Sequence, residues 1–216
     1  NLRTMIALAR GAGVKVLLIK PPSNLRNSPP FKSQNKDGLG IDEMLEWERL
    51  TTEAKAHFRE NQAKAAELLK QAIQIDDRHA MTWYDLAKCH EALRQPEKAR
   101  AAYLQARAND ICPLRILTPM EEALERVAAE LDVPLIDAHA LLEKESRWGI
   151  LGGDQLVDHI HPSIESHKQI ADALLDEMEN QGWARRQENW AAKRDELFKA
   201  HFAGLHKNYF IDAQRA

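Results

Sequence analysis

The segment Leu156-Val157-Asp158-His159-Ile160-His161-Pro162 sets a carboxylate three residues before an imidazole and then stops the backbone with proline. An Asp at that spacing reaches the far ring nitrogen of His161 across one turn of backbone. It fixes the ring's tautomer and stabilises the imidazolium that forms when the ring takes a proton. This is a general base and its orienter, and the sequence has to be searched for the group it would deprotonate.

Three serines lie within reach in sequence. Ser163 and Ser166 follow His161, and Ser23 follows a strand end. Ser163 reads as a helix N-cap with Ser166 on the first turn, and no G-x-S-x-G elbow supports another serine-hydrolase plan. His159 and His161 alternate along an extended segment near Asp154 and Asp158, which gives a metal site as an alternative. The absence of a third clear His or Cys ligand argues for no metal and no cofactor. Asn24, Arg26 and Lys32 follow the carboxyl end of a strand and can line the same cleft as substrate contacts or serve the loop's own structure. Arg115 can clamp an anion or pair with an acidic neighbour.

These groups sit in a chain able to position them. At 216 residues and 44% hydrophobic content it can bury a full core. A net charge of −3, with 29% charged residues of both signs interspersed, gives no basic field for nucleic acid and no polybasic run for lipid. No apolar stretch approaches the roughly 18 residues of a membrane span. Cys89 and Cys112 are too few for a disulfide framework and read as small apolar groups. Beginning at Asn1 within a helical pattern, the chain is expected to continue a longer polypeptide, so its compartment is open.

Leu2, Met5, Ile6 and Ala9 recur at helical spacing. Gly11 and Gly13 end that helix, and the apolar run Val14 to Ile19 follows as a strand. The pattern repeats: Met120, Leu124, Val127, Ala128 and Leu131 line a helix before Val133-Pro134-Leu135-Ile136. Continuous apolar runs predict strands buried on both faces, as in a parallel sheet covered by helices, so the fold class is α/β. Pro21 to Gly40 reads as a loop, ordered or partly mobile.

The helical block from Ile41 is an insertion between the two strands. Within it Ala65, Leu69 and Ala72 match Ala99, Tyr103 and Ala106 at an offset of 34 residues, the tetratricopeptide period. Trp83, Leu86 and Ala87 add the first-helix signature to the second copy, whereas Arg49 and Glu53 depart from it in the first. Such helix pairs offer a concave face for a protein or peptide partner, or act as spacers. A helix packed on the sheet is predicted from Ile164 to Met178. A long amphipathic element is predicted over Trp183 to Leu205, with Trp183, Trp190, Leu197, Phe198, Phe202 and Leu205 on one side.

Asp158, His161 and Pro162, set before a helix and after this order of helices and strands, resemble the last sequence block, D-x-x-H-P, of the SGNH (GDSL-type) hydrolases. The resemblance spans residues 1–40 and 112–180 and is greatest to members with tetratricopeptide repeats between two core strands. It implies a parallel-sheet α/β/α sandwich over 1–40 and 111–181, an all-α tetratricopeptide-like insertion over 41–110, and a helical extension over 182–216. It further implies an ester hydrolase or acyl transferase acting on a small-molecule or glycan ester, with His161 as base and Asp158 as orienter. The family's G-D-S block and the Gly and Asn of its oxyanion hole do not occur in this sequence. The nucleophile is therefore expected from polypeptide upstream, and this chain alone is expected to be inactive. The rival expectation is a repeat-containing adaptor on a catalytically degenerate platform.

Overall fold

The computed structural model describes residues 1–206, so residues 207–216 of the expected C-terminal extension lie outside the described residues. Helix α1 (Leu2–Gly11) passes through Gly13, whose φ of 74° favours glycine, and leads to strand β1 (Leu18–Lys20). Helices α2 (Ile41–His57), α3 (Gln62–Ile75), α4 (Ala80–Ala92) and α5 (Pro96–Ala108) follow, each packed on the next. Then come α6 (Thr118–Glu130), β2 (Leu135–Asp137), α7 (Ala138–Glu143), a short 3-10 turn at Arg147–Gly149, α8 (Ile164–Asn180) and α9 (Trp190–Ala203).

The two strands pair in parallel, with Leu18 opposite Leu135, Ile19 opposite Ile136 and Lys20 opposite Asp137. The chain is thus mostly helical α/β with a small two-stranded parallel sheet. Both strands begin later than their apolar runs, and burial on both faces does not hold. Val14 is exposed, and Ile19, 38% exposed, opens onto a groove of about 760 Å³ lined also by Leu2, Ile116, Met120 and Leu124. Two three-residue strands with few neighbours cannot cover both faces. Across the pair, the Lys20 ammonium bonds to Asp137 and, at 2.7 Å, to Glu125. Burial pulls the Lys20 pKa down, but these hydrogen bonds and charges outweigh it and hold it above the usual lysine value.

The largest core lies among the helices between the strands. Every residue matched by the 34-residue offset is buried: Ala65 with Ala99, Leu69 with Tyr103, Ala72 with Ala106. Small residues at the helix contacts let the pairs approach closely, while Tyr103 and Leu69 fill the space between them. The Asn61 side chain caps α3 by accepting the Lys64 N–H at 3.0 Å, and Pro96 opens α5 where no N–H is needed. Cys89 is packed in this core, and burial pushes its thiol up to about 11. Cys112 is exposed, contrary to the expectation of two packed thiols, because it follows α5 in a surface turn.

Leu25 joins the same core from the loop after β1, as does Ile150 from the segment after the 3-10 turn. That loop is ordered throughout its contacts. Asp110 accepts the N–H groups of Phe31 (2.9 Å), Lys32 (3.1 Å) and Cys112 (3.0 Å). Asp76 accepts from the Asn35 amide (2.8 Å) and from the Arg78 N–H (2.9 Å). The Tyr84 hydroxyl donates to the Arg26 carbonyl at 2.9 Å. A partly buried loop must satisfy its backbone groups, and here residues just past α3 and α5 and the Tyr84 side chain of α4 supply partners.

Two helices differ from the sequence reading. α8 packs mainly on α7 and the following loop, its Ile170 against buried Leu142, Leu151 and Leu156, rather than on the sheet. The last helix starts only at Trp190, after Gly182 and Asn189 in left-handed conformations, and none of its residues is buried. The apolar stripe over 183–205 is therefore split. Trp183 sits under the Lys15 ammonium, 5.4 Å from the ring centroid, while Phe198 and Phe202 share the Lys168 ammonium of α8.

Candidate active site

The residues from Leu156 to Pro162 form a tight hairpin. Leu156 and Pro162 bridge antiparallel, the Val157 N–H donates to the His161 carbonyl (2.9 Å), and the Ser163 N–H donates to the Gln155 carbonyl (2.8 Å). Inside it, Asp158 Oδ1 accepts the N–H groups of Ile160 (2.8 Å) and His161 (2.7 Å). An Asp side chain that closes its own turn in this way is what D-x-x-H encodes locally. The second oxygen, Oδ2, is thereby fixed 2.7 Å from His161 Nδ1. The near ring nitrogen, not the far one, meets the carboxylate, because the turn draws Asp158 against the His161 backbone.

The protonation states follow from these contacts. Partial burial pushes the Asp158 carboxyl up, but hydrogen bonds from the backbone of His161 and Ile160 and from the His161 ring outweigh it and hold it down at about 2. An ionised carboxylate only accepts, so Nδ1 carries a proton, and in the neutral ring Nε2 presents a lone pair. The His161 side chain is 66% exposed, and Nε2 has no hydrogen-bond partner among the described residues. The pair can therefore take a proton from an incoming group, and the carboxylate stabilises the cation that results.

Acid should undo this arrangement. The Asp158 pKa is depressed, so its contribution to stability is present above the ordinary carboxylate value of 3.8 and is lost as pH falls toward about 2. With the carboxylate 32% exposed, the full linkage value is discounted to about 1 kcal/mol. In denaturant titrations, the stability gap between wild type and Asp158→Asn is expected to be about 1 kcal/mol near pH 5 and to close near pH 2. A gap that stays constant across that range removes the charge of Asp158 from the account.

The hairpin is held from the loop after β1. Asn24, buried, donates its amide to the Asp158 carbonyl (2.9 Å) and its backbone N–H to the His159 carbonyl (3.0 Å), and its Oδ1 accepts the Asn27 N–H (2.9 Å). Arg26 Nη2 bonds Asp154 Oδ1 at 2.6 Å and Nη1 bonds the Arg147 carbonyl at 3.2 Å. Gly152 admits this packing. A Cβ there would stand 2.6 Å from both Arg26 Nε and Asn27 Oδ1. Arg115, 2% exposed, donates through Nη1 to the carbonyls of Asn24 (2.7 Å) and Ser28 (2.8 Å).

Of the residues expected as substrate contacts, Asn24 bonds the hairpin directly, Arg26 holds Asp154 and the Arg147 carbonyl beside it, and Arg115 holds the carbonyls of Asn24 and Ser28. Their charge and amide groups here serve backbone carbonyls and the Asp154 carboxylate. Lys32 is held through its backbone, its N–H on Asp110 and its carbonyl on the Ile111 N–H. Ser163 caps α8 by accepting the Ser166 N–H (3.2 Å), and the buried Ser166 hydroxyl donates to the Gln155 carbonyl (2.8 Å). His167 Nδ1 lies 3.0 Å from the Ser163 carbonyl. His159 stands edge-on to Phe31, with ring centroids 5.2 Å apart. No group of three or more His, Cys, Asp or Glu able to hold a metal ion occurs among the described residues.

A second histidine lies beyond the sequence reading. The Ser23 N–H donates to His139 Nδ1 at 3.1 Å, so this ring's own proton is on Nε2, which faces Glu143 at 3.6 Å. Glu143 in turn receives Arg100 of α5 through two bonds of 3.1 Å. Burial pushes the Glu143 carboxyl up, while the facing His139 ring and the Arg100 hydrogen bonds outweigh it and hold it at about 2. The Ser23 hydroxyl is fully buried and makes no hydrogen bond among the described residues. The only signal in the sequence was the position of His139 two residues past a strand. No helix among the described residues is long and apolar enough to cross a membrane. No protein-family model, no curated protein and no solved structure matches this chain.

Proposed function

We propose that this chain supplies the base and orienter of an SGNH-type serine ester hydrolase or acyl transferase, with the nucleophile brought by polypeptide outside it. In this reading the paired strands are part of an α/β/α sandwich, and α2 to α5 are tetratricopeptide-type pairs inserted between two of its strands. The observation that carries it is the Asp158–His161 bond at 2.7 Å with Nε2 left open toward solvent. No Ser, Thr, Cys or Tyr hydroxyl or thiol is bonded to that nitrogen among the described residues.

The chemistry runs in two halves. A serine hydroxyl gives its proton to His161 Nε2 as its oxygen attacks the acyl carbon of a small-molecule or glycan ester. The imidazolium, held by Asp158, then returns the proton to the departing alcohol oxygen, leaving an acyl-serine. Water, or an acceptor alcohol in a transferase, repeats the sequence in reverse. The test is labelling with a fluorophosphonate. The chain alone takes no label, whereas in the polypeptide that includes the nucleophile a serine outside residues 1–206 takes it. Stoichiometric label on Ser23, Ser163 or Ser166 would overturn the reading.

A further inference from the structure

Where the end of α4 meets the 3-10 turn, a pocket of about 290 Å³ is lined by Lys88, Glu91, Ala92, Arg94, Arg147 and Trp148. Trp148 is 38% exposed and holds a left-handed backbone, φ 65°, which a bulky side chain rarely adopts. Its surroundings impose that conformation. The Arg147 N–H is fixed on Asp154 Oδ2 (2.7 Å), and the N–H groups of Gly149 and Ile150 return to the carbonyls of Ser146 and Arg147. Strain maintained by such over-determination accompanies ligand sites. Here it holds an indole at the rim of a pocket rather than in a core.

The charges of the pocket do not cancel. The Lys88 ammonium is 3.2 Å from Glu91 Oε2, which also accepts the Tyr103 hydroxyl at 2.6 Å, so that pair is internally satisfied. Neither Arg94 nor Arg147 has a carboxylate partner among the described residues, and the Arg147 guanidinium stacks 5.4 Å from the Trp148 ring centroid. Glu91 Oε1 has no hydrogen-bond partner among them either. The lining therefore offers two uncompensated guanidinium forks for an oxyanion, one open carboxylate oxygen for hydroxyl donors, and an aromatic surface for a ring.

The geometry points to a binding site for an anionic saccharide, a sugar ring that carries a carboxylate or a phosphate. The volume of about 290 Å³ suits one such ring. The oxyanion sits on Arg94 and Arg147, the ring on Trp148, and a hydroxyl donates to Glu91. The site stands independently of the ester chemistry proposed for His161, although Asp154 links Arg147 to Arg26 beside the hairpin.

Calorimetric and ligand-observed NMR titrations of the chain with glucuronate, glucose 6-phosphate, glucose and AMP test it. Glucuronate or glucose 6-phosphate is expected to bind at least about tenfold more tightly than glucose. Comparison of the first two tells which oxyanion the site takes. Arg94→Ala with Arg147→Ala is expected to erase the preference for the anion. Trp148→Asn keeps a residue that tolerates the left-handed backbone and is expected to abolish binding, with the circular dichroism spectrum unchanged. Three results would each overturn the proposal: no saturation by either anionic sugar below about 10 mM, affinities unmoved by these substitutions, or AMP binding more tightly than both sugars.

Discussion

Replacing His161 by Ala, in the polypeptide that includes the nucleophile, is expected to lower kcat for a short-chain nitrophenyl ester by about 10²–10⁴ while leaving KM close to wild type. The loss falls on kcat because the ring accepts its proton only as the acyl carbon is attacked. Folding is expected to survive, since the ring is 66% exposed and its one hydrogen bond is to a partner in its own turn. Fluorophosphonate labelling should fall with kcat, because it needs the same activated hydroxyl. An equal kcat in the variant would take His161 out of the mechanism, and a rise in KM alone would reassign it to binding.

The largest effect on stability is expected at Asp110, a residue remote from the hairpin in sequence. Its carboxylate is fully buried, takes three backbone N–H groups, and lies 3.6 Å from Arg115 Nη2, beyond hydrogen-bond length. Burial lowers the Arg115 pKa from its usual range, and the charge of Asp110 works against that. Arg115 Nε and Nη2 have no hydrogen-bond partner among the described residues, so the guanidinium charge depends on Asp110 for its compensation. Asp110→Ala leaves a buried cation uncompensated and takes the acceptor from three backbone N–H groups, and is expected to cost about 3–5 kcal/mol in denaturant unfolding. Because Arg115 also carries the Asn24 carbonyl, and Asn24 the Asp158 carbonyl, the variant should lose turnover as well. A cost below about 1 kcal/mol would show that the pair is not what fastens the loop.

The parts legible in the sequence were those written in local pattern. Ala65, Leu69 and Ala72 with their partners 34 residues on marked buried helix contacts, and Asp158 with His161 marked a carboxylate within reach of an imidazole, though at its near nitrogen rather than the far one. Local chemistry fixes both. The strands were harder, because an apolar run states that residues avoid water without saying how many neighbours will cover them. Val14 and Ile19 stayed open for that reason. Asn24, Arg26 and Lys32 were read together after a strand end and Arg115 apart from them, but a polar side chain looks the same in sequence whether it meets a ligand or a buried carbonyl. The roles of Asp110, His139 and Glu143 rest on contacts across many residues, such as Arg100 to Glu143, which no periodicity announces.

The central claim is that Asp158 holds His161 with its proton on Nδ1 and its Nε2 lone pair free. Long-range proton–nitrogen correlation spectra of the imidazoles, taken above the histidine titration range, read this directly. The account predicts the Nδ1–H tautomer for His161 and the opposite, Nε2–H, for His139, with Asp158→Asn converting only His161. An Nε2–H tautomer for His161 in the wild-type protein would contradict it.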